Sequence, residues 1–252
     1  MEGTAIRRRL TWQLGEVVET RTETARARSL TLLVPGWSGH RPGQHVDVRL
    51  TADDGYQAER SYSIASPPED TPRVTITVER LDDGEVSPYL VDEVRAGDHL
   101  ELRGPIGGYF VWEAQMGGPL LLLGGGSGIV PLMAMIRHRR AVHNAVPARL
   151  LYSSRSQEEV IYRDELDELA RRDGGPEVIY TLTRTQPPGW TGYRRRIDEA
   201  LLRDVAWPSR DGALAYICGP TQFVETAASG LVALGHDPVR VKTERFGPTG
   251  GG

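Results

Sequence analysis

Hydrophobic and polar positions alternate along the first part of the chain and then stop alternating. From about Trp12 to Trp112 the apolar residues occupy every second position of short runs, as in Val46-Asp-Val-Arg-Leu50 and Val74-Thr-Ile-Thr-Val78. Alternation of this kind puts one strand face on a core and the other in water. Turn residues separate the runs at Asp53-Asp-Gly55, Asp82-Asp-Gly84 and Gly104-Pro105. Short, regularly spaced strands with such punctuation predict an antiparallel barrel or sandwich. One helix is predicted in this half, near Pro88–Val94, with Ser87 as its N-cap.

From Pro119 onward the pattern is that of alternating strands and helices. Leu120–Leu123 is an unbroken apolar run, as expected of a parallel strand covered on both faces. A glycine turn follows, then a helix to Arg140, a strand at Arg149–Tyr152 and a helix at Glu158–Arg172. The series continues with Val178–Leu182, a helix at Arg196–Leu202, Leu214–Cys218, a helix at Gln222–Leu234 and a last strand at Val239–Lys242. It predicts a parallel sheet with helices on both faces. The change of pattern near Glu113–Gly118 divides the chain into domains 1–115 and 116–252, and the glycine-rich tail Pro248–Gly252 is expected to be mobile.

Composition narrows the chemistry. A net charge of −4 gives no reason to expect a nucleic-acid partner, and the leucine run is too short to span a bilayer. The start of the chain has charge but no apolar signal core, and there is one cysteine, which together suit a reducing, cytoplasmic setting. One cysteine cannot ligate an iron–sulfur cluster in the usual way, and the six histidines have no metal-site spacing, so no metal is expected.

The strongest local signal is Leu120-Leu-Leu-Leu-Gly-Gly-Gly-Ser-Gly-Ile-Val-Pro-Leu132. A buried strand ends in glycines that open a helix, so main-chain N–H groups and the helix N-terminus can receive a pyrophosphate. A plain strand-to-helix turn would need only one or two glycines. Pro131 stands where a dinucleotide fingerprint would have its third glycine, a position sterically acceptable near a helix start. A second strand end of this kind is Tyr216-Ile-Cys-Gly-Pro220, where Cys218 either faces a ligand or is a small buried apolar residue. In Arg60-Ser-Tyr-Ser-Ile-Ala-Ser66 an arginine suited to a phosphate lies on the same strand face as a tyrosine able to cover a ring system; alone it would read as ordinary polar decoration.

Taken in order, Arg60-Ser-Tyr-Ser63, Gly84-Glu-Val-Ser87, Gly104-Pro-Ile-Gly107, Gly125-Gly-Ser-Gly-Ile-Val-Pro131 and Cys218-Gly-Pro220 resemble the ferredoxin–NADP reductase family, from about Trp12 to Phe246. The nearest likeness is to the reductase components of bacterial oxygenases without their ferredoxin domain. The resemblance implies an antiparallel Greek-key β-barrel that binds FAD, followed by an α/β domain that binds NAD(P)H. It implies that Arg60 holds the flavin pyrophosphate, Tyr62 stacks on the isoalloxazine and Ser63 bonds flavin N5, with Ile64 and Val78 among the flavin contacts. Gly84, Val86 and Ser87 would face the pyrophosphate, Gly125, Gly126, Ser127 and Gly128 the nicotinamide nucleotide, and Cys218, Gly219 and Pro220 the nicotinamide. Glu244 and Phe246 resemble the family's C-terminal acidic and aromatic pair. Ser63, Cys218 and Glu244 are the candidate catalytic residues.

Thr183-Arg184 resembles the pair that reads the 2′-phosphate of NADP, with Arg194, Arg195 or Arg196 as a second basic group, although arginines on a loop are more often simply solvated. NADPH is therefore expected, with NADH as the alternative. Arg137, His138, Arg139 and Arg140 read as complements to a helix C-terminus. The expected reaction moves a hydride to flavin N5 and electrons onward to a separate ferredoxin, oxygenase or other metalloprotein. The alternatives are a reductase of free flavin or quinone, a non-catalytic flavin-binding subunit, and FMN in place of FAD.

Overall fold

The computed structural model describes residues 10–246; the tail from 248 and the chain start, to which the expectations of mobility and of a missing signal core refer, lie wholly or partly outside them. Six strands form the first sheet: β1 (Trp12–Thr22), β2 (Ala27–Leu33), β3 (His45–Thr51), β4 (Gln57–Ser63), β5 (Arg73–Glu79) and β6 (His99–Ile106). Their order is β4-β3-β6-β1-β2-β5, and each neighbouring pair is antiparallel. β6 inserts between β3 and β1, the crossing of a Greek key. An isolated bridge between Ile64 and Ile76 joins the two outer strands and curls the sheet into a barrel. The inward positions, among them Val17, Leu30, Val46, Ile76 and Leu102, are buried in one core.

The second sheet contains β7 (Leu120–Gly125), β8 (Ala148–Ser154), β9 (Glu177–Leu182), β10 (Leu214–Pro220) and β11 (Val241–Phe246), all parallel, in the order β11-β10-β7-β8-β9. Helices α1 (Ile129–Ala141), α2 (Arg163–Arg171), α3 (Glu199–Val205) and α4 (Thr221–Ala233) connect or flank these strands. The leucine run shows why both faces are apolar. Leu120 and Leu122 pack with α1 and α2, whereas Leu121 and Leu123 pack with α3 and α4. The chain runs outward from β7 to β9 and returns across the sheet to β10. The switch point, where such sheets bind ligands, therefore lies between β7 and β10.

Several local expectations need correction. Ser87 does not cap the predicted helix, which is a single wide turn at Tyr89–Glu93; its Oγ accepts from the Leu81 main-chain N–H at 3.1 Å and closes the preceding loop instead. α2 starts at Arg163, not Glu158, because Tyr162 is held in the left-handed region at φ 61°. α3 starts after Asp198, whose carboxylate accepts from the Leu201 N–H at 2.8 Å, so Arg196 precedes the helix. β11 begins at Val241, after one helical turn at Pro238–Arg240.

The basic run of α1 is also more than a complement to its C-terminus. Arg137 donates to both carboxylate oxygens of Glu165, at 2.9 and 2.6 Å, and to the Ala65 carbonyl of the barrel at 2.8 Å. His138 Nδ1 lies 2.8 Å from Glu69 of the barrel. Trp112, Ala27 and Ala65 share a core cluster with α1, and Tyr216 donates to the Val111 carbonyl at 2.7 Å. The barrel and the α/β half are thus packed directly together.

Candidate functional site

A cleft of about 810 Å³ runs between the barrel and the carboxyl edge of the parallel sheet. That size is within the range of cofactor and ligand pockets. Its walls bring together Arg60, Tyr62 and Ser63 from β4, Gly84, Val86 and Ser87 from the loop after β5, Ser127 from the glycine turn, and Glu244 and Phe246 from β11. These residues come from four separate stretches of sequence.

β4 is an outer strand. Its Arg60 and Tyr62 share one face because side chains alternate. Arg60 Nη2 lies 3.2 Å from Glu85 Oε2, so the arginine and the Gly84–Ser87 loop already adjoin. Tyr56 Oη donates to the other Glu85 oxygen at 3.0 Å. Tyr62 is half-buried, and burial pushes its phenol pKa well up. At Gly84 an added Cβ would lie 2.9 Å from Ser87 Oγ, which favours glycine in that tight loop.

Ser63 and Glu244 meet across the cleft, with Ser63 Oγ donating to Glu244 Oε1 at 3.5 Å. Burial pushes the Glu244 carboxyl up to about 7, against the opposing pull of the Ser63 hydrogen bond. Glu244 is the register partner of Cys218 in the parallel pair β10–β11. Cys218 is buried, and burial followed by the nearby Glu244 charge pushes its thiol well up, so it is held as a neutral thiol.

The two glycine turns face one another at the switch point. A Cβ on Gly128 would lie 2.1 Å from the Cys218 carbonyl oxygen, and one on Gly219 would lie 3.2 Å from Gly125 Cα. Only glycine at 128 permits this approach. Gly126 has φ 54°, a left-handed conformation that suits glycine. α1 begins here with its Ile129 N–H taken by the Gly126 and Ser127 carbonyls, and with no side-chain cap and no acidic residue in its first turn, so no carboxylate offsets its positive end. Pro220 ends β10 beside this turn.

Other predicted residues stand away from the cleft. Ile64 and Val78 are fully buried in the barrel core, and neither lines the cleft. Thr183 and Arg184 follow β9, two strand spacings or roughly 10 Å from β7. Thr183 is tied to the Ser154 carbonyl, and Arg184 is exposed. Arg194 donates to the Trp190 carbonyl at 2.6 Å, and Arg195 pairs with Asp198.

The sequence reading passed over several residues at the site. Arg155 follows β8 beside Arg184, whose N–H donates to its carbonyl at 2.9 Å; the rule that singled out Thr183-Arg184 after a strand would have found it. Thr77, Glu79 and Arg103 line the cleft, as do Glu85 and Arg245. Thr77 and Glu79 are outward positions of β5, where polar residues look like ordinary surface.

Two family models match the chain: an oxidoreductase FAD-binding domain over residues 16–111 and an oxidoreductase NAD-binding domain over residues 122–229. The chain is 34% identical over 187 residues to ferredoxin–NADP reductase B of Sorangium cellulosum, covering 72% of this chain and 75% of that protein. It is 32% identical over 210 residues to the glycine betaine monooxygenase reductase subunit of Pseudomonas aeruginosa, covering 83% of this chain and 57% of that one. The chain therefore spans little more than half the length of that relative. Among solved structures, the FAD/NAD-binding domain of the nitric oxide dioxygenase of Vibrio cholerae superposes with a TM-score of 0.83 at 26% identity, covering 94% of this chain and 99% of that one.

Proposed function

Because the chain belongs to the ferredoxin–NADP reductase family, we propose that it takes a hydride from NADPH, in preference to NADH, onto FAD and passes electrons to a separate acceptor such as a ferredoxin, an oxygenase or another metalloprotein. The observation that carries this reading is the convergence of Arg60, Tyr62 and Ser63 with Ser127 and Glu244 on one cleft. That cleft fits the cofactor: it has an arginine and a tight glycine loop for phosphates, a half-buried tyrosine for a ring, and a second glycine turn on its far wall. Bound FAD supplies the capacity to accept a hydride and to release electrons singly or in pairs.

The chain's own residues bind and orient. Arg60 and the N–H groups of the Gly84–Ser87 loop hold the flavin phosphates, while Tyr62 covers the ring and excludes water. Gly125, Gly126, Ser127 and Gly128 receive the nucleotide pyrophosphate at the start of α1. Cys218 with Gly219 and Pro220 shapes the nicotinamide seat with a compact, uncharged sulfur. Glu244, with its carboxyl raised by burial to about 7, can hold or release a proton beside the ring, and Ser63 Oγ donates to its Oε1 when it is charged. Ser63, Cys218 and Glu244 are the catalytic set of this reading, and the domain division at 115/116 belongs to it.

The preference for NADPH rests on Arg184 with Arg155 beside it, both exposed at strand ends and forming no ion pair among the described residues. Two such guanidiniums suit a 2′-phosphate. Arg195 is engaged by Asp198, so Arg194 is the better second contact from its loop. An anaerobic titration of the flavin-loaded protein, first with NADPH and then with NADH, tests the reading. Fast loss of flavin absorbance with NADPH and slow loss with NADH supports it. Preference for NADH removes the arginine argument, and no loss with either nucleotide removes the hydride step.

A further inference from the structure

The polar face of the barrel that meets the α/β half carries a chain of buried hydroxyls. Ser29 on β2 and Thr77 on β5 are register partners, and both are buried. Ser29 Oγ donates to Glu23 Oε1 at 2.7 Å and lies 2.8 Å from Thr77 Oγ1. Tyr162, which enters from the segment before α2, bonds Thr77 Oγ1 in turn.

Each hydroxyl carries a single hydrogen, so the direction of the chain is forced. Ser29 spends its hydrogen on the Glu23 carboxylate, so Thr77 must donate to Ser29. With the Thr77 hydrogen spent, Tyr162 must donate to Thr77. The order Tyr162 to Thr77 to Ser29 to Glu23 ends on a carboxylate whose side chain is only 4% exposed. A chain that ends on a charge in a low-dielectric setting is stronger than its neutral bonds taken singly.

Tyr162 is unusual in two further ways. Its φ of 61° is one that bulky side chains avoid, and such residues persist only where their surroundings hold them. Its ring lies 4.8 Å below the Arg137 guanidinium, the same group that grips Glu165 of α2 and the carbonyl of Ala65, two residues after Ser63. Its hydroxyl ends on Thr77, which lines the cleft. One side chain of the α/β half thereby touches Thr77 of β5 directly and, through Arg137, is linked to the segment that follows β4.

We propose that Tyr162 is a positioning residue, whose hydroxyl, through Thr77, Ser29 and Glu23, sets the distance between the nucleotide turn and the flavin wall. This rests on the function proposed above. Hydride transfer needs the reacting atoms at about 3–3.5 Å, so a small change in the seating of the two halves slows it without abolishing binding of either ligand. Tyr162→Phe removes the hydroxyl and keeps the ring under Arg137.

The test compares flavin-loaded wild type, Tyr162→Phe, Thr77→Val, Thr77→Ser and the Tyr162→Phe/Thr77→Val double variant in anaerobic stopped flow with NADPH. The expected result is a roughly tenfold slower flavin reduction in Tyr162→Phe and Thr77→Val, with nucleotide Kd within about twofold. The long-wavelength absorbance of stacked nicotinamide and flavin rings weakens in parallel. Thr77→Ser, which keeps the hydroxyl, retains most of the rate, and the double variant is no slower than the worse single one. If Tyr162→Phe lowers the melting temperature but leaves rate and long-wavelength absorbance unchanged, Tyr162 is a packing residue and the proposal is overturned alone. If the wild type is reduced by neither nucleotide, the functional reading falls and takes this proposal with it.

Discussion

The barrel wall of the cleft and the outer edge of the parallel sheet both carry arginines, but in different states. On the barrel wall the cations are paired: Arg60 with Glu85, and Arg103 with Asp47 at 2.8 Å and with Glu59. At the sheet edge Arg155 and Arg184 are exposed and pair with no carboxylate among the described residues. A wall of paired charges is already organised before a ligand arrives. Free guanidiniums on an edge gain most when an anion arrives and lose most when it leaves, as suits a nucleotide that must come and go. The contrast is what the proposed function asks for: a resident cofactor on one side and a consumed one on the other.

The strongest way to break this contrast is at the join between the two regions. Gly128→Ala would press a Cβ against the Cys218 carbonyl at 2.1 Å and force the backbone apart. The expected cost is about 2–4 kcal/mol of stability. Thermal denaturation should report that loss, and stopped flow should find reduction by nucleotide abolished while the barrel still binds flavin. Arg184→Ala probes the edge alone: the KM for NADPH should rise about tenfold to a hundredfold, as expected for a lost charged hydrogen bond, while that for NADH stays unchanged.

Glu244 sharpens the comparison through pH. Its carboxyl is raised, so its support for the fold is complete below the ordinary carboxylate value and is lost as pH rises through about 7. Glu244→Gln cannot take on that buried charge. The variant should therefore melt above the natural chain at pH 8 and level with it at pH 5. The rate of flavin reduction is expected to fall above pH 7 in the natural chain, and to stay level there in the same variant. The smallest expected effect belongs to Glu85→Gln. Freeing Arg60 from an exposed ion pair should tighten flavin binding only about twofold to fivefold, as read by flavin fluorescence titration.

What was legible in the sequence followed local rules. The Leu120–Leu123 run with its glycines marked β7 and the switch point because a doubly buried strand and a close main-chain approach both constrain residue type directly. The β-rich half was readable from alternation and turn residues. Departures occurred where a side chain was claimed by something distant in sequence. Tyr162 looks like part of a helix until Thr77 and Arg137 hold it out of one, and Ser87 looks like a cap until Leu81 takes its hydroxyl. Arg137 and His138 look like helix-end charges until Glu165, Ala65 and Glu69 are brought to them. The cleft residues contributed by β5 were missed because an outward threonine on a strand has no local mark of being covered by another domain.

The closure of the barrel has a consequence for the protein before it acquires its cofactor. β4, which carries Arg60 through Ser63, pairs along its length with β3, but on its other side, among the described residues, a single bridge at Ile64, just past its end, joins it to Ile76 of β5. The rest of that side is an open sheet edge, of the kind to which stray strands add. A flavin seated against Tyr62 and Ser63 would cover it. Occupancy of the cleft is then also protection against self-association, and chains made where flavin is scarce should precipitate before they unfold.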